Sequence, residues 1–468
     1  MARLKLLFVT DIVPAPIDCG QRVRLRGLTS ACRKVADVTL IAPRPQDEAD
    51  VQGIEQDFEQ VFWIDDAGPS GLRNRMSCAL KTAIAAGGIP SWSKILRYMP
   101  YVDACARANP AQFDLIWAER PHIARLCAAH PEKTVIDLDD LEHLKIRGQM
   151  KLARGFWLRL KLAYRYAFYR WIEVVWTRKH LATVVCSPED KDYLLANHCK
   201  NAIIVPNGAA LPLGPRPEAR PGGDMRLLFL ANLAYEPNAD ALRFLQGEIL
   251  PELLRVAPEA KVDVVGRFGL TEPVASPALR FRGFVDDLAE ALSEYDMLIA
   301  PLRYGGGTKL KVIDAMARGL PVLTTAVGAE GLGLTHRVSV WLAETPAQFV
   351  EGALRLKSDP EFAARMAAKA QDVFAERFDW PSIERRLAKF LFAATDYKLR
   401  GSPTEARRSA EAEAFSGIGK DTRKNPGLGE PSREPIAGSM LPAALLNRPP
   451  YFAAAVGSAT GLSESVRR

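Results

Sequence analysis

The run from Pro301 to Thr325, PLRYGGGTKLKVIDAMARGLPVLTT, holds the residue types best suited to chemistry. An apolar stretch ends in Gly305, Gly306 and Gly307, and Thr308 follows with a hydroxyl able to cap a helix that begins there. Glycines let a backbone approach a ligand closely and take dihedrals that other residues avoid. Their amides, together with a helix N-terminus, make an anion site suited to a diphosphate. Lys309 and Lys311 put two cations at the end of the helix where the dipole disfavours them, which points to an anionic partner. Asp314 lies about one turn further on, able to reach a ribose hydroxyl pair, and Gly319-Leu320-Pro321 stops the helix. A loop serving only a tight strand-to-helix turn would explain the glycines but not the lysines and the acid. No GxxxxGK[ST] occurs, so this is not a Walker loop.

A second group of candidates lies earlier. In FDLIWAERPHIARL, Phe113 to Leu126, a strand runs into a loop and helix, and at its carboxyl end stand the candidate catalytic residues His122 and Glu119, the latter a carboxylate expected to point into the cleft. VIDLDDLEHLK, Val135 to Lys145, repeats the geometry with Asp137, Asp139, Asp140 and Glu142. Those acids suit an acceptor's hydroxyls, a metal or a solvated loop. The loop after the first strand carries Asp18, Gly20, Arg22 and Arg24. Gly20 fits close approach, and the two guanidinium forks fit either phosphate recognition or a solvated helix face.

These residues need a scaffold that brings strand ends together. Leu4–Thr10, Val38–Ala42, Val61–Ile64, Leu115–Ala118, Val135–Leu138, Thr183–Cys186 and Ile203–Val205 read as buried strands with helical patterns between them. A Pro- and Gly-rich stretch from Val205 to Asp224 reads as a linker, after which the same alternation restarts. The expected architecture is α/β, with two Rossmann-like doubly wound domains facing across a cleft. They cover 1–204 and 225–378, joined by 205–224. A helix at 379–399 packs back on the first domain, and a disordered tail covers 400–468. Ligands of such sheets bind at the carboxyl ends of the strands.

The run GGGTKLKVIDAMARGLPVLTT resembles the nucleotide-sugar signature of retaining GT-B glycosyltransferases, the family-4 type of glycosyl transferases group 1. LRFRGFVDDLAEALSEYDMLIAPL and LLFLANLAYEPNADALRFL are also similar to that family. PAPIDCGQRVRLRGL is similar to sugar transferases of bacterial exopolysaccharide clusters. The resemblance covers Lys5 to Leu399. It implies a nucleoside-diphosphate sugar as donor, a glycan or lipid-linked acceptor, retention, and neither cofactor nor metal. By the same resemblance Lys311 contacts the diphosphate and Asp314 the ribose, Asp replacing the usual Glu. The family's first Glu would fall at Gly306 and is missing. Its diphosphate Arg has no clear match, with Arg267 a substitute. Phe284 and Val285 match the segment whose backbone faces the base, His122 the histidine near the reacting carbon, and Asn207-Gly208 the hinge. Two alternatives stand beside this: a non-catalytic module of the same fold, supported by the missing Glu and by Asp at 314, and a nucleotide-sugar epimerase, which would need more carboxylates and His in the cleft than Glu119 and His122 supply.

From Lys145 to Lys179 the chain carries ten Lys or Arg, one acid and eight aromatics. At about 100° per residue, Phe156, Leu160, Ala163, Ala167, Trp171 and Val174 form one stripe flanked by cations. That pattern fits a helix lying on anionic lipid, around Phe156 to Trp176, or a core stripe with a solvated basic face. No nucleic-acid reader motif accompanies it. The net charge of +7 (62 basic against 55 acidic residues) is weak evidence for nucleic acid, because much of the excess sits after Lys398. Seven scattered cysteines without a CxxC pair, six histidines and no long apolar run lead to the expectation of a cytoplasmic protein, peripheral to the membrane at most, without zinc or a disulfide framework.

Overall fold

The computed structural model describes residues 3–17, 19–64, 92–126, 130–209, 211–215, 224–268, 276–285 and 287–400. Asp18, part of the linker and the tail from 401 lie outside the described residues.

The first sheet has seven strands: β1 (Leu4–Val9), β2 (Ala36–Pro43), β3 (Gln60–Ile64), β4 (Leu115–Glu119), β5 (Thr134–Asp137), β6 (Ala182–Val185) and β7 (Ala202–Ile204). All pairs are parallel, in the order β3-β2-β1-β4-β5-β6-β7. The strands are near-continuous apolar runs because both faces are covered. On one face Leu6, Phe8, Leu40 and Trp117 pack with Leu25, Leu28 and Cys32 of the helix Gly20–Arg33. On the other, Leu7, Val9, Ile41, Ile116 and Ile136 pack with Tyr101, Ala104 and Ile123.

The second sheet holds β8 (Arg226–Leu230), β9 (Lys261–Val265), β10 (Leu279–Gly283), β11 (Met297–Ala300), β12 (Val322–Thr324) and β13 (Trp341–Leu342). Its order is β10-β9-β8-β11-β12-β13, again all parallel. In both sheets the strand order reverses beside the first strand, between β1 and β4 and between β8 and β11, while every pair stays parallel. A crevice opens at the strands' carboxyl ends there.

The helix Trp380–Arg400 returns to the first sheet, where Ile383, Leu387 and Leu391 join the core under β1 and β2. Trp380 is its wedge. The indole Nε1 donates to the Ala209 carbonyl at 3.0 Å, just past the hinge. A Cβ on Gly27 would lie 1.9 Å from the ring and one on Gly208 2.4 Å from it, so both positions are small to admit the indole.

The basic aromatic stretch is not one helix. It runs as Glu142–Leu152, a break at Gly155, Phe156–Arg170, a π-turn Trp171–Val175 and a 3₁₀ turn Trp176–Lys179. Gly155 takes φ 103°, which allows the hairpin between the two helices. The expected apolar stripe divides along its length. Val174 is buried and Trp171 half-buried, whereas Phe156 is 72% exposed and Leu160 and Ala167 are exposed. Trp157, off the stripe, is 79% exposed.

Gly27→Ala should overpack the Trp380 wedge and cost about 1–3 kcal/mol in denaturant unfolding. In a Trp380→Ala background the same change should cost much less, since the two residues share one space. Equal costs in both backgrounds would show that the indole does not set the size of residue 27.

Candidate functional site

The cleft is organised around a buried guanidinium. Arg24 is 1% exposed, although it sits on the helix that follows the first loop. Its Nε and Nη2 hold both oxygens of Asp137 at 2.8–3.2 Å, and its Nη1 donates to Asn207 Oδ1 at 2.8 Å and the Val205 carbonyl at 3.1 Å. Burial opposes the charge, but Asp137 and Asp139 outweigh it and keep the group protonated. Arg24 is therefore not a phosphate ligand. Its donors are consumed in tying the first helix, β5 and the hinge together. Arg22 donates to the Pro16 carbonyl and shapes the same loop. Gly20 does serve close approach, but to protein: a Cβ there would lie 2.5 Å from Leu310 across the cleft.

Asn207 extends the network to the second domain. Its Nδ2 donates to Asp139 Oδ1 at 3.0 Å and to Thr308 Oγ1 at 3.1 Å. The Thr308 amide donates to Cys186 Sγ at 3.3 Å, after β6. Thr308 is thus an interdomain contact rather than a helix cap. The helix begins at Leu310 with Lys309 in the cap position.

Glu119 ends β4 beside Asp137 and is buried, accepting a hydrogen bond from the Thr10 hydroxyl. Burial, then the neighbouring Asp137 charge, raises its pKa from 4.5 to about 8. It is a neutral carboxyl at pH 7, packed beneath the cleft rather than open to it. His122 lies at the surface of the cleft with its side chain 25% exposed, and its Nε2 meets Asp11 Oδ2 at 3.0 Å. Arg120 takes φ 75° between them and brings its Nε within 3.7 Å of the other Asp11 oxygen. Asp11 and Arg120 escaped the sequence reading. The available signal was position alone, because Asp11 directly follows a strand that points into the cleft.

On the facing wall, Gly305 and Gly307 take φ 149° and 60°. Lys309 Nζ folds back to the Gly307 carbonyl at 2.6 Å. Lys311 Nζ donates to Asn238 Oδ1 at 2.6 Å and lies 5.5 Å from the Phe229 ring centre. Burial, then the Lys309 charge, lowers its pKa to about 7. Among the described residues no carboxylate pairs with it, and the first turn of its helix holds no acid. Asn238, another residue missed in the sequence, sits near the start of the helix Glu236–Phe244 after β8.

Asp314 is buried, and its Oδ1 accepts the Leu211 amide at 3.3 Å. One carboxylate oxygen therefore anchors the linker. Along the same carboxyl edge the Arg267 guanidinium lies 5.6 Å from the Phe284 ring centre, with Phe284 55% exposed. Val285 beside it packs inward against the second domain's core. The exposed ring and cation form a platform on which a planar group could stack.

Two parallel doubly wound sheets facing across a cleft of this kind define the GT-B fold. Residues 224–359 match the family model described as Glycosyl transferases group 1, so the second domain is of that type. A 44.6 kDa protein from the cps region of Klebsiella pneumoniae is 24% identical over 164 residues. That match covers 33% of this chain and 42% of the relative, so less than half of the curated relative's length is spanned. The fold is similar to sucrose-phosphate synthase from Thermosynechococcus elongatus, with a TM-score of 0.60 at 18% identity over 84% of this chain and all of that one. It is also similar to Anabaena HepE in complex with UDP-glucose, with a TM-score of 0.54 at 16% identity over 84% of this chain and all of that one.

The Glu119 proton gives a stability signature. Native Glu119 holds its proton to about pH 8, whereas the unfolded side chain releases it near 4.5. Between those values the native state binds the extra proton, so stability falls as pH rises, by up to ~1.4 kcal/mol per unit. Glu119→Gln keeps an acceptor for Thr10 and should flatten that decline in urea unfolding followed from pH 5 to 8. An unchanged slope would mean that Glu119 ionises normally.

Proposed function

We propose that the protein transfers a sugar from a nucleoside-diphosphate sugar to a glycan or lipid-linked acceptor, with retention, in surface or exopolysaccharide assembly. The observation that carries this reading is Lys311, a cation without a carboxylate partner among the described residues, at the N-terminal end of a helix that follows a glycine loop. Two lysines brought together by folding repel each other, and a diphosphate removes that cost. The group 1 domain match supports the donor class, as does the UDP-glucose complex of HepE. The cps-region relative supports the glycan setting.

In this reading the glycine amides, Lys309, Lys311 and the helix end offset the charge that grows on the leaving diphosphate. Phe284 and Arg267 flank the base, and Asp314 faces the ribose. The bond between the sugar carbon and the distal phosphate oxygen breaks, and its electron pair stays on the phosphate. The acceptor oxygen bonds to the sugar carbon from the same face, and its proton passes to the leaving phosphate oxygen. His122, held by Asp11, stands on the opposite wall to orient the sugar.

In the same reading the enzyme works at the cytoplasmic face of a membrane, which the exposed basic hairpin supports. Phe156, Trp157 and Leu160 project with exposed Lys151, Arg154 and Lys161 beside them, which suits insertion among anionic headgroups. Among the described residues no helix is long and apolar enough to cross a bilayer.

Lys311→Ala should lower kcat/KM for sugar transfer by about 2–4 kcal/mol of transition-state stabilisation, or ~30- to 1,000-fold. Wild-type turnover would remove Lys311 from the reaction. The pH dependence follows from its lowered pKa of about 7. A bound diphosphate raises that pKa again, so binding above pH 7 takes up a proton. Affinity should then fall by up to ~tenfold per pH unit. Calorimetry in two buffers of different ionisation enthalpy reads the uptake, which should vanish in Lys311→Met.

Exchange of Lys151, Arg154 and Lys161 for Glu should abolish sedimentation with anionic vesicles while leaving the thermal midpoint in place. Each cation near such a surface is worth ~1 kcal/mol, and added salt should weaken wild-type binding. Binding that ignores lipid charge would assign the hairpin another partner.

A further inference from the structure

We propose that Asp140, delivered from the first domain, is the residue that reads the sugar hydroxyls of the donor. The inference rests on the donor site proposed above and adds a residue from the opposite wall. After β5 ends at Asp137, Asp139 turns the chain with φ 58°. Three bonds hold that turn: its amide to Asp137 Oδ1 at 3.0 Å, its carbonyl to the Cys186 amide at 3.0 Å, and its carboxylate to Asn207 at 3.0 Å. Glu173, carried by the π-turn, accepts the amides of Glu142 and His143 at 3.0 and 3.1 Å and fixes the helix that follows. Asp140 lies between these two clamps and is carried across the cleft to the glycine loop.

There it fills the space a side chain at position 306 would need. A Cβ on Gly306 would lie 2.9 Å from Asp140 Oδ2 and 3.0 Å from its Cβ, and one on Gly307 3.0 Å from the same Cβ. Real Cβ atoms do not approach so closely without displacing the neighbour. The loop therefore has no side chain where a carboxylate from the other domain covers it. Among the described residues that carboxylate has one ion pair, with Lys145 Nζ at 3.7 Å, and Lys145 is also bound to Glu142. Among the described residues no hydrogen-bond donor reaches it.

A carboxylate beside a diphosphate is repelled by it, so Asp140 gains nothing from the phosphates. It gains from hydroxyl groups, which make short charge-assisted bonds to an ionised acceptor. In a nucleotide sugar the hydroxyls beyond the distal phosphate belong to the sugar. Asp140 is placed to accept from them, and it does so only while the two domains are together. Sugar recognition is thereby coupled to closure, whereas a bare nucleoside diphosphate does not use Asp140.

The test compares two ligands on the full chain. UDP and UDP-glucose are titrated by calorimetry, with GDP and GDP-mannose as the second pair, against wild type, Asp140→Ala and Asp140→Asn. Asp140→Ala should leave the nucleoside-diphosphate Kd within about twofold and weaken the nucleotide sugar by about tenfold or more, with Asp140→Asn between them. Equal weakening of both ligands, or of neither, overturns the assignment. Absence of nucleoside-diphosphate binding to wild type in both pairs would instead remove the donor site and this inference with it. A second arm uses the shared space. Gly306→Glu alone should lose nucleotide-sugar binding, and the double variant with Asp140→Ala should regain it to well above Asp140→Ala alone. A double variant no better than Asp140→Ala would also overturn the proposal.

Discussion

The buried pair of Arg24 and Asp137 is the constraint on which the cleft depends. Removing two charges from water is costly, and the cost is repaid only by close geometry with every donor used. Arg24 meets that condition with two oxygens of Asp137, the Asn207 amide oxygen and the Val205 carbonyl. The three segments it joins are the first helix, the end of β5 and the hinge. Asn207 then reaches Thr308, so one polar chain runs from the core of the first domain to the glycine loop of the second. Loss of either charge would leave its partner buried without compensation, and the cleft geometry would go with it.

Around that neutralised centre the two walls differ in sign. The second domain holds Lys309 and Lys311 close together, with burial pulling Lys311 down to about 7. The first holds Asp11, Asp139 and Asp140 at its strand ends, with His122 fixed by Asp11. In the proposed reading a donor spanning the gap meets cations at its phosphates and carboxylates at its sugar hydroxyls. Glu119 stays out of this balance. Its burial holds a proton on it, and it supports the strand end from below.

The hairpin of Glu142–Leu152 and Phe156–Arg170 connects this chemistry to the outer surface. Its root is fixed by Glu173, which caps the first helix and contacts His143, and its tip exposes Phe156 and Trp157. The root lies next to Asp140, so whatever holds the tip also steadies a wall of the cleft.

Much of the architecture was legible in the sequence. The strands read from their apolar runs recur to within a residue or two, because strands buried on both faces are built mostly of apolar side chains, with the buried acids Glu119 and Asp137 at their carboxyl ends. The glycine–lysine run was legible for the same kind of reason: loop dihedrals and helix-end charge are local properties. Partners across the cleft were not. Arg24 looks in sequence like a solvated or phosphate-binding guanidinium, and only the packing of its helix against β5 shows that Asp137, 113 positions away, consumes it. Asp140 among four acids carries no mark of its own, and its place over Gly306 exists only when two domains meet. The amphipathic stripe from Phe156 to Val174 had the right period, but periodicity cannot say where along a helix the core ends. Residue types and local spacing determined the fold and the glycine–lysine loop before the helix; the partners of each charge were decided by burial between segments far apart in the chain.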